Sequence, residues 1–383
     1  MNDPKTPNEI KPYENEELED IHAGEYATAS RGRLIWWRFR KHRLAMVGGV
    51  VLIMLYLAAA FAEFVAPFKP TTRNADFIYA PPQRIHFFDR DGNFSLRPFT
   101  YPLIADKESR LGRDYRRDYS NPQPLQFFAR TGDPYRMWGL FESDRRLFSA
   151  QDTPFFLFGT DSLGRDLFSR IVYGARISLT IGLIGVSLTF MLGVLLGGLA
   201  GYLGGITDNV VQRLIEILMS IPSLPLWMIL SASLPMHWSP ITVYFGITVI
   251  LSFLGWTGLA REVRGKFLSI RDEDFVVAAR LCGTNELSII TRHLLPSFMS
   301  HIIARATLAI PSMILGETAL SFLGIGLRAP VISWGVLLEP AQNYEVVAMY
   351  PWLLMPALFI IIVVLAFNMI GDGLRDAADP YST

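Results

Sequence analysis

The stretch DFVVAARLCGTNELSIITRHLLP, Asp274 to Pro296, lies between two long apolar runs and is too ordered for a simple connector. Phe275, Val276, Val277, Ala278, Ala279 and Leu281 can form a short helix with an apolar face. Gly283 ends it, because glycine adopts the left-handed C-cap conformation without strain. Thr284 is placed to cap a second helix, with Glu286 in its first turn favoured by the helix dipole. Leu287, Ile290 and Leu294 recur at helical spacing, while Thr291 and Arg292 face elsewhere. Pro296 suits the first turn of the next apolar run, where its missing N–H costs nothing. The spacing predicts a helix–turn–helix elbow. Composition alone reads it as an interfacial helix resting on lipid headgroups.

Working outward, six runs reach the roughly 20 apolar residues that an α-helix needs to cross a bilayer. They cover about 44–65, 177–203, 210–234, 241–260, 298–322 and 352–370. The chain is 51% hydrophobic and 18% charged, against about a quarter charged in soluble proteins. Backbone polar groups in lipid must be satisfied within a segment, so the fold expected is an all-α polytopic membrane protein. The first run is too long for a signal-peptide core and lacks an A-x-A cleavage site, so it reads as a retained helix.

Arg31, Arg33, Arg38, Arg40, Lys41 and Arg43 precede the first run. A second basic set, Arg261, Arg264, Lys266, Arg271, Arg280 and Arg292, separates the fourth and fifth. Short basic flanks stay in the cytoplasm. Both sets agree when the N-terminus is cytoplasmic, and six crossings then return the C-terminus to the same side. Residues 1–30 read as a disordered acidic tail, and 31–66 as a basic segment with the first span. Residues 67–158 read as a long extracytoplasmic insertion, in which PPQRIHFFDRDGNF resembles a hairpin turning at Asp91-Gly92. An interfacial segment over 159–176 precedes a membrane domain over 177–372, and a cytoplasmic tail covers 373–383.

Gly193, Gly197 and Gly201 share one helical face, which favours close helix packing. Pro222, Pro225 and Pro311 mark kinks or hinges. Arg305 and Glu317 fall in or near the fifth span, where an ionisable group is either a pathway contact or polar helix packing. Asp161, Gly164, Arg165, Asp166, Arg170 and Arg176 cluster before the second span. Their charges pair to fix a short helix, or they meet a docking protein. Net charge is balanced at 35 of each sign, which points to no polyanion such as nucleic acid. Cys282 is the single cysteine, which excludes an intrachain disulfide and a cysteine metal cluster. No histidine pair has metal-ligand spacing, no G-x-S-x-G occurs, and the only Gly-Lys pair, Gly265-Lys266, precedes Phe267 rather than completing a phosphate loop.

Ala278-Ala279, then three residues, Gly283, nine residues and HLLP resemble the EAA motif of ABC-importer membrane subunits. FGTDSLGRDLFSRIVYGARISL (158–179), SFLGIGL (321–327), SWG (333–335), NMIGDGLRDAADP (368–380) and the basic RFRKHRLAMVG resemble the dipeptide/oligopeptide permease family, C-type. The resemblance covers residues 31–380 apart from the insertion. It implies a type I ABC-importer transmembrane fold in a bacterial inner membrane. It also implies that the 271–296 loop couples to a separate ATPase, with Ala278, Ala279, Gly283, Leu295 and Pro296 on motif positions. Val277 stands where the family carries an acid; Glu273 and Asp274 lie nearby. Implied partners are a B-type permease, two ATPase subunits or domains that hold ATP and Mg, an extracytoplasmic binding protein and membrane lipid. No cofactor is expected on this chain, and no catalytic or metal residue. Peptides are the implied cargo, with nickel and oligosaccharides as family alternatives. A secondary transporter driven by an ion gradient would need paired inverted repeats, and none is evident.

Overall fold

The computed structural model describes residues 31–90, 92–106, 114–150, 153–235 and 237–378. The acidic tail over 1–30, Asp91 and Asp379 lie outside these. Helix α1 (Arg31–Lys41) leads into α2 (Arg43–Ala60), capped by His42, whose Nδ1 accepts the Ala45 N–H. The insertion follows, and then α3 (Leu167–Leu203), α4 (Gly205–Ser220), α5 (Ser223–Ala232) and α6 (Pro240–Ile270). The elbow holds α7 (Asp274–Leu281) and α8 (Glu286–Ile289); α9 (Met299–Phe322), α10 (Trp334–Leu338) and α11 (Met355–Ala378) complete the chain.

Among the described residues five helices are long and apolar enough to cross a membrane, and the bent pair α4–α5 makes a sixth crossing if it is one span. That pair breaks by 87° at Ile221-Pro222, so the third run is not one straight helix. Pro222 disfavours helix at the residue before it, and Ile221 is extended. Pro311 lies inside α9, which continues through it. Three other boundaries move. Residues 167–176 are not a separate interfacial segment but the first turns of α3. Helix α6 runs ten residues beyond the apolar run, because nothing between Ala260 and Ile270 breaks it. The last helix also extends to Ala378, so 373–378 is helix rather than tail.

The main core joins α2, α3, α6, α9, α10 and α11, with Trp334 fully buried at its centre. The glycine face of α3 packs on α6. A Cβ on Gly193 would meet Leu259 at 2.9 Å and one on Gly201 the Arg264 carbonyl at 2.7 Å, so only a bare backbone allows the approach.

The insertion is where the described residues carry β structure. Strands β1 (His86–Phe88), β2 (Phe94–Thr100), β5 (Gln123–Met137) and β6 (Phe141–Ala150) form an antiparallel sheet in the order β1-β2-β5-β6. Strands β3 (Leu103–Asp106) and β4 (Asp114–Arg117) pair separately. The β1–β2 hairpin falls where the sequence placed it, with Asp89 gripping the Asn93 N–H and side chain at 2.8 and 3.0 Å. The insertion rests on the N-terminal end of α3 and the segment before α11: the Phe68 N–H donates to Ser169 Oγ at 3.1 Å, and Tyr79 stacks on Tyr350 at 4.0 Å. The elbow lies at the opposite end of the bundle, beside the C-terminal end of α3.

Candidate functional site

Helix α7 closes with two hydrogen bonds that define a Schellman turn. The Gly283 N–H donates to the Arg280 carbonyl at 3.0 Å, and the Thr284 N–H to that of Ala279 at 3.1 Å. Gly283 sits at φ +77°, the conformation its side-chain-free backbone allows. The second helix is capped one residue later than its sequence implies: Asn285 Oδ1 accepts the Ser288 N–H at 2.7 Å, while Thr284 is spent in the turn. Asn and Thr are both good caps, so sequence alone does not separate them. After α8 the chain passes through one wide π turn, Ile290–Leu294, then Leu295–Ser297, and breaks at Phe298 before α9.

Val276, Ile289 and Leu294 are fully buried against Val263 and Phe267 of α6, Phe298 just before α9 and Ile302 within it, with Tyr202 at the end of α3. Burying each such side chain contributes about 1.5–3 kcal/mol, which seats the elbow on three helices at once. The Arg280 guanidinium lies over the Tyr202 ring at 5.5 Å and donates to its hydroxyl at 3.2 Å. The expected apolar face of α7 is largely turned outward. Phe275, Val277 and Ala278 are exposed, and Leu281 is 84% exposed. Leu287, expected on the inner face, is exposed too, because its neighbour Ile289 takes the buried position. Ala279 and Leu295 are half-buried, and Gly283 and Pro296 are exposed. The elbow therefore has a fixed inner face and an apolar outer face flanked by Glu273, Asp274 and Arg280. That arrangement can bind a protein groove and transmit a push to α3, α6 and α9.

The remaining motif residues form two networks at the other end of the bundle. In the first, the buried Asp161 carboxylate accepts the N–H groups of Leu163 and Arg165 at 2.8 and 3.0 Å. It also pairs with Arg165 Nε at 2.7 Å and with Arg170. Gly164 (φ +66°) lies against the Asn74 carbonyl so closely that a Cβ would overlap it. Asp166 caps α3 through the Ser169 N–H at 2.7 Å, and burial pushes its carboxyl up to about 7 against the pull of that bond. Arg176 ties α3 to the end of α2, pairing with Glu63 and donating to the Ala59 and Ala60 carbonyls at 2.5 and 2.8 Å. In the second, buried Glu317 accepts from the Ser321 and Ser333 hydroxyls at 2.8 and 2.7 Å. Ser333 caps α10, the Trp334 N–H donates to Ser178, and its ring N–H to the Ile171 carbonyl. SFLGIGL, SWG and the start of α3 thus meet around one carboxylate and one indole.

Arg305 and Glu317 take different positions. Glu317 belongs to that buried network, with both serine hydroxyls on its Oε1. Arg305 is exposed, pairs with Glu262 at 2.8 Å, and borders a cleft of about 250 Å³ lined by Thr189, Trp227 and Met313. Glu262 and His301 line an adjoining cleft of about 810 Å³. Glu262 escapes the sequence reading, which ends the fourth span at 260; the unbroken helical sequence to Ile270 is the signal that would have placed it. The Asp208–Arg264 pair between α4 and α6 escapes it for the same reason. At the C-terminal end, Asp376 pairs with His42 at 3.6 Å, while Asp372 and Arg375 lie on the same last turns of α11.

A family described as the binding-protein-dependent transport system inner membrane component matches residues 193–381. The N-terminal TM domain of oligopeptide transport permease C matches residues 30–82. The oligopeptide transport system permease protein OppC of Bacillus subtilis (strain 168) is 30% identical over 368 residues, 94% of each chain. The dipeptide transport system permease protein DppC of the same organism is 42% identical, covering 58% of this chain and 68% of its own. OppC of Escherichia coli (strain K12) is 42% identical over 58% of this chain and 72% of its own.

Proposed function

Because this chain belongs to the family of binding-protein-dependent transport system inner membrane components, with the N-terminal domain of the oligopeptide permease C branch, we propose that it is the C-type permease subunit of an ATP-driven peptide importer. It forms the path together with a second, B-type permease. ATP and Mg sit on two partner ATPase subunits or domains below, and an extracytoplasmic binding protein delivers peptide above. Both termini and the elbow face the cytoplasm of a bacterial cell, and the insertion faces outward. The basic residues around α1 and at the end of α6 support that orientation, as does the placement of elbow and insertion at opposite ends of the bundle.

The observation that carries this reading is the two-sided elbow. Its inner face is locked onto three spanning helices while its outer face leaves Phe275, Val277, Leu281 and Leu287 exposed. An ATPase groove that takes this apolar ridge would drive α3, α6 and α9 together. Val277 removes the charge that the family places there, so the contact at that point is apolar, and Glu273, Asp274 and Arg280 supply its polar rim. In the network of α9, Glu317 holds SWG and SFLGIGL together, whereas Arg305 with Glu262 faces the cleft and is the better pathway contact.

Cys282 is exposed at the turn and is the only thiol, which gives a direct test. In the purified complex, a short thiol-directed crosslinker is expected to join this chain to the ATPase, and Cys282→Ser is expected to abolish the product. A crosslink that survives the substitution, or none in an assembled complex, would refute docking at the elbow.

A further inference from the structure

The β5–β6 hairpin ends against the membrane helix α2 rather than in open solvent. The Trp138 ring N–H donates to the carbonyl of Ala60, the last residue of α2, at 2.8 Å, and the ring packs on Phe61 at 5.2 Å. Farther up the hairpin, Phe128 packs on Phe64 at 5.8 Å, and Arg146 donates to the Ala66 carbonyl at 2.8 Å. The hairpin is therefore fixed in height relative to α2. That helix has 18 residues, about 27 Å at 1.5 Å per residue, close to the roughly 30 Å of a hydrocarbon core. Ala60 lies accordingly at the boundary between acyl chains and headgroups.

The hairpin end is apolar where it reaches that boundary. Trp138 is 53% exposed, Leu140 76% and Phe141 63%. The ion pair Arg136–Glu142, at 2.7 Å, closes the polar part of the hairpin just behind them. The apolar end continues a stripe already on α2. Val47, Val50, Met54 and Leu57 are exposed at alternating spacings of three and four, and the next position in the series is Phe61, on which Trp138 packs. The turn also holds an unusual backbone: Trp138 has φ +51° and Gly139 φ +74°. A bulky residue in that region is strained, so the turn keeps its indole at this spot at a cost that an ordinary Asn-Gly turn would avoid.

We infer that the tip of the β5–β6 hairpin, Trp138-Gly139-Leu140-Phe141, is a lipid anchor that inserts into the headgroup boundary of the bilayer beside α2. Tryptophan suits that depth because its ring is apolar and its N–H polar; here the N–H is satisfied by Ala60. The anchor holds the sheet at a fixed tilt over the end of the bundle. The same apolar tip could instead be covered by another subunit, and the experiment separates the two.

The complete complex is reconstituted in phosphatidylethanolamine–phosphatidylglycerol vesicles with Cys282→Ser and one new cysteine carrying an environment-sensitive fluorophore. The cysteine replaces Leu140, or, as a reference, Leu96, which is 85% exposed on β2, a strand that meets β5 only at Phe99 and Thr100. Both sites are solvent-facing within the chain, so neither change disturbs its packing. The Leu140 probe is expected to emit at shorter wavelength and to lose intensity when vesicles contain lipids spin-labelled near the headgroup, while the Leu96 probe responds to neither. A Leu140 probe that aqueous iodide quenches as fully as Leu96 would overturn the anchor. So would a probe shielded from both iodide and spin-labelled lipid, which would assign the tip to a protein partner.

Discussion

At the scale of single residues, the motif that looked like a charge cluster is a buried framework. Asp161 spends its carboxylate on two backbone N–H groups and two arginines, and Gly164 lets the loop close against Asn74. Gly164→Ala combines a positive φ with overlap on the Asn74 carbonyl, so it should destabilise the permease by roughly 1–3 kcal/mol and lower its thermal unfolding midpoint in detergent. Asp166 makes the framework pH-sensitive. Its folded carboxyl keeps a proton up to about 7, well above the ordinary aspartate value near 3.9. The folded state therefore binds more protons than the unfolded one between these values, and stability from this group is full below about 4 and lost as pH rises through 7. The wild-type midpoint should fall between pH 5 and pH 8, and Asp166→Asn, which keeps the capping oxygen, should flatten that part of the profile. A variant with an unchanged profile would place the titration elsewhere. These residue types were visible in the sequence as opposite charges at short spacing. Their burial was not, because it depends on Asn74 and Ala80 arriving from the far side of the insertion.

At the scale of elements, the elbow was readable because its signals are local: a glycine that ends one helix, a cap for the next, and a proline before the following span. Which apolar residues face inward was not readable. Val276 and Ile289 are chosen by Phe267 and Tyr202, which lie on other helices. The stiffness of the turn is itself testable. Nothing lies within 4 Å of a Cβ added to Gly283, so a larger residue there strains only the backbone. Gly283→Val should cost about 1–2 kcal/mol and lower the peptide moved per ATP hydrolysed in vesicles holding the full complex. Gly283→Asn, which tolerates the left-handed region, should retain most of the coupling. Equal coupling in all three would show that the turn does not transmit force. The break between α4 and α5 was announced by Pro222, but its 87° angle was not. The β5–β6 hairpin went unread because its turn is Trp-Gly-Leu rather than a standard two-residue pair, and its strands mix charge with aromatics instead of alternating.

At the scale of the whole molecule, the chain is a membrane domain with the elbow at one end and a β-structured platform at the other. The motifs that share no local sequence logic, SFLGIGL, SWG and the start of α3, converge on Glu317 and Trp334 and hold the platform end together. The helices α3, α6 and α9 run from that end to the elbow. The central claim is that ATP-driven motion enters through the outer face of the elbow. Its most direct measurement is peptide uptake by vesicles containing the complete complex, comparing the natural chain with Leu281→Asp, which changes a side chain already 84% exposed. The natural complex should import peptide only when ATP is supplied, and Leu281→Asp should lower that uptake about tenfold, the effect of some 1.4 kcal/mol lost from the docking contact, with the chain's own unfolding midpoint unchanged. Full uptake by Leu281→Asp, or uptake sustained by an ion gradient without ATP, would contradict it.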